Sequence, residues 1–120
     1  MKYPPKYTAV LIIVALLFYS CKLKPNPGWI KDKNGCLGIR NQKLAKALID
    51  QYDLMGDTES DFIKVFGLPD TTDNQYDKHI LIYYWGGICE NSKPTKEADK
   101  CYAQFYFKDE KLSSADFTCE

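Results

Sequence analysis

The chain has 120 residues, and its 16 basic side chains are matched by 16 acidic ones, giving a formal charge of zero. That balance leaves no basic stripe on which nucleic acid could seat, so this class of partner is excluded. The length suits one small domain preceded by a targeting segment.

The first twenty residues read as targeting rather than fold. Lys2 and Lys6 make a positive start, and "YTAVLIIVALLFY", Tyr7 to Tyr19, is an apolar run. A spanning helix takes roughly 20 apolar residues, so this run is too short for a lasting anchor. An ordinary secretory signal ends in an A-x-A-like site, whereas this one ends in Phe18, Tyr19, Ser20 and Cys21. The ending resembles a lipobox, the recognition site of bacterial lipoprotein signal peptidase, and departs from it in the aromatic Phe18 and Tyr19. It implies a lipid-bearing Cys21 as the first mature residue. Cleavage there leaves 100 residues with 14 basic and 16 acidic side chains, a formal charge of −2. Attachment then comes from acyl chains, each buried CH₂ contributing about 0.8 kcal/mol, and not from charge.

Four cysteines remain: Cys36, Cys89, Cys101 and Cys119. In an exported domain of this size they predict two disulfides, with three pairings open. A four-thiolate zinc site would want C-x-x-C pairs, and the chain has none. Residues 21–35, "CKLKPNPGWIKDKNG", combine prolines, glycines and charges and read as a tether that lifts the domain, 36–120, off the bilayer. Trp29 and Ile30 are the exception, and packing of Trp29 on the domain is expected.

Asn41 caps a first predicted helix, with Leu44, Ala47, Leu48 and Gln51 or Tyr52 at helical spacing. Thr58 followed by Asp61 resembles a capping box and opens a second. Phe62, Ile63, Val65 and Phe66 supply its buried face, Gly67 suits its C-terminal left-handed position, and Pro69 stops it. The polar stretch "DTTDNQYD" reads as a turn before "KHILIYYW", Lys78 to Trp85, a β-branched and aromatic strand. "CYAQFYF" alternates, with Cys101, Ala103, Phe105 and Phe107 on one face and Tyr102, Gln104 and Tyr106 on the other. A three-residue turn at Asp109, Glu110 and Lys111 would set Phe105 opposite Ala115 and Ala103 opposite Phe117. The expected fold is α+β: two helices on one face of a three-stranded antiparallel sheet.

This order resembles the small lipoproteins of the outer-membrane assembly machinery, the BamE or SmpA/OmlA-like group, and the related domain of the β-lactamase inhibitor protein. The resemblance is carried by Gly56, Thr58 and Phe62; by Phe66, Gly67 and Pro69; by Tyr83 to Trp85; and by Phe105, Phe107, Asp109, Lys111 and Leu112. It runs from Asn41 to Phe117, and these positions mostly report fold. The four cysteines depart from the assembly-factor pattern. The inhibitor domain closes a strand connection with a disulfide, which implies Cys89 with Cys101 here and leaves Cys36 with Cys119. The alternative joins Cys101 to Cys119, opposite in the predicted register, and Cys36 to Cys89.

Catalytic chemistry is not expected. The sole histidine, His79, has no nucleophile motif nearby, and Ser60, Ser92, Ser113 and Ser114 have no recognisable partner. Asp70, Asp73 and Asp77 lack the spacing, glycine and distal glutamate of an EF-hand and read as a solvated turn. Helix capping accounts for Asp57, Glu59 and Asp61. No glycine-rich phosphate cradle follows a strand, and no cofactor or metal is expected. The tyrosines and tryptophans point to a protein interface instead. Tyr83, Trp85, Tyr102, Gln104 and Tyr106 are the expected partner-binding residues, flanked by Asp116 and Thr118. The expectation is a lipid-anchored envelope protein, in the outer membrane facing the periplasm, that binds an envelope or secreted protein as an accessory to outer-membrane assembly or integrity. The alternatives are an inhibitor or immunity lipoprotein that blocks a toxin or hydrolase, and a small-ligand or metal-binding module.

Overall fold

The computed structural model describes residues 22–95 and 101–119, so Cys21 and the targeting segment lie outside the described residues. Within them the protein is α+β. Helices α1 (Pro27–Lys31), α2 (Gln42–Gln51) and α3 (Glu59–Phe66) precede strands β1 (Thr71–Gln75), β2 (Lys78–Trp85), β3 (Cys89–Glu90), β4 (Lys93–Pro94), β5 (Cys101–Lys108) and β6 (Lys111–Cys119). The main antiparallel sheet runs β1-β2-β5-β6, and β3 with β4 forms a separate hairpin.

Three expectations about the elements themselves need correction first. The sheet has four strands, because "TTDNQ" pairs as β1 along Lys78–Ile82 through a two-residue turn at Tyr76 and Asp77. All five β1 side chains are exposed, so the strand is held by backbone pairing and carries no apolar alternation to betray it. The tether is the second correction. Asn26 accepts from the Trp29 N–H at 2.9 Å to cap α1, the Asn26 N–H donates to Val65 O at 2.9 Å, and Trp29 is 0% exposed. A 3₁₀ turn at Lys33–Gly35 then lies on β2, and a Cβ at Gly35 (φ +71) would stand 2.5 Å from Trp85 Cα. Residues 27–35 therefore belong to the domain. The third concerns α2, which buries Ala45, Leu48 and Ile49, with Ala47 and Gln51 exposed.

The caps form where their side-chain chemistry predicts. Asn41 accepts from the Leu44 N–H at 2.8 Å and Thr58 from the Asp61 N–H at 3.2 Å. At the far end of α3, Gly67 takes φ 73 and ψ −176, a region open essentially to glycine alone and distinct from the left-handed helical one expected. The core lies between the helices and one sheet face: Trp29, Phe62 and Phe66 meet Leu81, Tyr83, Ala103, Phe105 and Phe107. Phe62 stacks on Phe66 with ring centroids 4.2 Å apart, and Phe105 lies 4.7 Å from Phe62.

The β5–β6 register is the one predicted, with Phe105 opposite Ala115 and Ala103 opposite Phe117, but it arises differently. The turn holds two residues, Asp109 (φ 50) and Glu110 (φ 67), both of positive φ as the right-handed strand twist favours. The register then shifts by one beyond Phe107, where Ser113 is the extra residue and its hydroxyl donates to Tyr106 O at 3.0 Å. Bulge and shorter turn compensate.

That register decides the disulfides. Cys101 and Cys119 face each other with Cα atoms 4.0 Å apart and are bonded, while Cys36 is bonded to Cys89 with Cα atoms 5.6 Å apart. The pairing implied by the inhibitor resemblance, Cys89 with Cys101 and Cys36 with Cys119, is therefore replaced by the alternative. The 3₁₀ turn seated on the end of β2 carries Cys36 to the segment that follows that strand.

A buried polar network fastens this N-terminal segment. The Asp32 carboxylate accepts from the N–H groups of Leu37 at 2.6 Å and of Ile39 and Arg40 at 2.8 Å. Arg40 donates from Nε to Trp29 O at 2.7 Å and from Nη1 to Asp70 Oδ2 at 2.8 Å. Asp70 also accepts from the N–H groups of Asn34 at 3.0 Å and Tyr84 at 2.8 Å. The ion pair is sealed, with both side chains at most 1% exposed.

Arg40→Met should lower the unfolding free energy in urea by about 3–5 kcal/mol, because it strands the Asp70 charge in the interior. Non-reducing peptide mapping should recover Cys36 linked to Cys89 and Cys101 to Cys119, and a Cys89–Cys101 peptide would contradict this fold.

Candidate protein-docking face

Among the described residues, the helices cover one face of the sheet and no helix or strand lies over the other. Register sets which side chains share the open face: Tyr84, Tyr102 and Thr118 in one row, Ile82, Gln104, Asp116 and Thr71 in the next, then Ile80, Tyr106, Ser114 and Asp73. Tyr84 and Tyr102 meet edge-on with centroids 5.4 Å apart. The Tyr106 hydroxyl donates to Gln104 Oε1 at 3.0 Å, and Lys78 Nζ stands 5.7 Å from the Tyr106 ring centroid. Ile80 is only 1% exposed although it lies on this side and outside the main core cluster. An apolar centre of isoleucines and tyrosines thus has a polar rim on the two edge strands, the usual anatomy of a protein interface.

Of the expected partner-binding residues, Tyr102, Gln104 and Tyr106 lie together here. Tyr83 and Trp85 do not. Tyr83 pairs with Ala103 and Trp85 with Cys101, on the helix side of the sheet. Tyr83 is 0% exposed, its hydroxyl donates to Gly67 O at 2.7 Å, and the Arg40 guanidinium lies 5.3 Å from its ring. Burial pushes its phenol far above the ordinary value, with Arg40 opposing that shift. Trp85 keeps its indole N–H buried. The residue missed is Tyr84, which the register turns outward; burial and then the nearby Asp70 charge raise its phenol pKa.

The remaining candidates are dispersed. His79 Nδ1 meets Glu59 Oε2 at 2.8 Å, joining β2 to the first turn of α3. Asp70 is buried in the Arg40 network, which corrects the reading of it as solvated, while Asp73 and Asp77 are exposed. Among the described residues no three His, Cys, Asp or Glu side chains gather as a metal would require, and no helix is long and apolar enough to cross a membrane. The chain matches no known family model, no curated protein and no solved structure.

Tyr83→Phe removes one buried hydrogen bond and should cost about 1 kcal/mol in stability. Partner capture should be unaffected, which would separate Tyr83 from the open face.

Proposed function

We propose that the protein is an envelope lipoprotein, anchored through Cys21 in the outer membrane and facing the periplasm, that acts by binding another envelope protein as an accessory to outer-membrane assembly or integrity. The observation that carries this reading is the open tyrosine face on a sheet closed at one end by the Cys101–Cys119 disulfide. Tyrosines offer large contact area at small entropic cost, and a face on central strands changes shape little on binding. The targeting segment and its terminal cysteine support the address, and the assembly role rests on the resemblance of the sequence positions between Gly56 and Leu112 to the BamE-like group.

Crosslinking the native protein in its own membrane, followed by mass spectrometry of what co-purifies, tests this reading, with Cys21→Ser as the anchor control. Outer-membrane assembly components should be recovered with the wild type and lost from Tyr102→Ala/Tyr106→Ala, whose unfolding midpoint should stay close to that of the wild type. Recovery of a secreted toxin or hydrolase would instead favour an inhibitor or immunity role. Unchanged recovery by the double variant would remove the face from the account.

A further inference from the structure

We propose that the outer surface of the helix layer around Leu23 rests directly on a zwitterionic lipid surface, turning the tyrosine face away from the bilayer; this rests on Cys21 being the lipid-bearing residue. The reason is length. Leu23 packs against the core, the Asn26 N–H is bonded to Val65 O at 2.9 Å, and Trp29 is enclosed. The chain is therefore already part of the domain two residues after Cys21. Two residues reach at most about 7 Å, comparable with one headgroup layer of about 5–7 Å. No slack remains to lift the domain off the membrane.

The surface that this short leash brings to the lipid is defined by the side chains around Leu23. An open depression of about 610 Å³ lies there, between the end of α2 and the start of α3, walled by Leu23, Tyr52, Asp53, Asp57 and Asp61. Lys22 and Lys64 stand beside Asp61. Mixed charges of this kind suit headgroups that carry both phosphate and ammonium; a purely anionic surface would meet three carboxylates. Tyr52 adds an amphipathic ring of the type that settles at lipid interfaces. Tyr84, Tyr102 and Tyr106 lie across the sheet from this layer, so the same leash that holds the helices to lipid presents the docking face to the aqueous side.

Full-length acylated protein in phosphatidylcholine and phosphatidylethanolamine vesicles would be treated with a membrane-impermeant amine-reactive reagent and digested. The reference is the same protein with a flexible Gly/Ser segment of about ten residues inserted between Lys22 and Leu23, which leaves the Leu23 packing intact and adds reach. Lys64 should label several-fold more slowly in the wild type than in the insertion variant. Lys78 on the sheet face and Lys93 on the β3–β4 hairpin should label alike in both. Equal labelling of Lys64, or protection of Lys78 instead, overturns the orientation. The mass of the N-terminal peptide is read from the same digest. An acylated Cys21 with Lys64 unprotected removes only the orientation, whereas an unmodified N-terminus removes the lipoprotein reading and the orientation with it.

Discussion

The buried carboxylate of Asp70 is where the separate parts of this protein are joined. One oxygen accepts from the Asn34 N–H in the N-terminal segment; the other accepts from Arg40 and from the Tyr84 N–H in β2. Burying a charge pair is costly unless both ions are well hydrogen-bonded, and here the bonding extends outward. Arg40 reaches Trp29 O, its guanidinium lies 5.2 Å from the Trp29 ring, and its own N–H is held by Asp32. Segments far apart in sequence are thus bound to one point by directional contacts, which specify an arrangement that apolar packing alone would leave loose. The Cys36–Cys89 bond closes over the same junction with a sequence separation of 53, where the chain-entropy model gives about 4 kcal/mol.

From this junction the two sides of the sheet take different roles. On the helix side, aromatic rings from Trp29, α3, β2 and β5 form one continuous cluster. Tyr83 belongs to it, and its hydroxyl closes the C-terminal end of α3 by bonding Gly67 O. One residue further along the same strand, Tyr84 faces the other way. Adjacent tyrosines therefore serve the core and the surface, as the two-residue period of a strand demands.

Local chemistry was the legible part of the sequence. Asn41 and Thr58 cap helices because side-chain oxygen and backbone N–H are three residues apart. The clean alternation of β5 chose its own buried face, and large-to-small pairing across to β6 found the right register even with the wrong turn, since Ser113 restored the residue that the shorter turn omitted. The same register already set Cys101 against Cys119, so the residues were a better guide to the disulfides than the family resemblance. Illegible features were those made by distant partners. Asp70 sits in a polar stretch that resembles a solvated turn, and its partners are 14 to 36 residues away. β2 is apolar on both faces, so alternation could not separate Tyr83 and Trp85 from Tyr84, and the long connection from Trp85 to Cys101 does not set the pairing of the two strands. One signal did exist: Arg40 is the sole arginine among 16 basic residues. A chain that uses lysine everywhere else and arginine once has reason to place that guanidinium where several directed bonds are needed in the interior.

The junction and the open face are physically continuous, which bears on how the face can recognise a partner. Asp70 holds the Tyr84 backbone N–H, and Tyr84 sets the edge-on contact with Tyr102. Tyr102 follows Cys101 directly, and its neighbour across the sheet, Thr118, precedes Cys119, so the disulfide clamps the same row. The outermost tyrosine row is thereby fixed at one side by an ion pair and at the other by a covalent bond. A face held in this way gives up little conformational freedom on binding, so more of its contact energy appears as affinity. In the proposed docking role Asp70 would act on recognition without touching a partner, by holding the backbone of Tyr84 in the row that does.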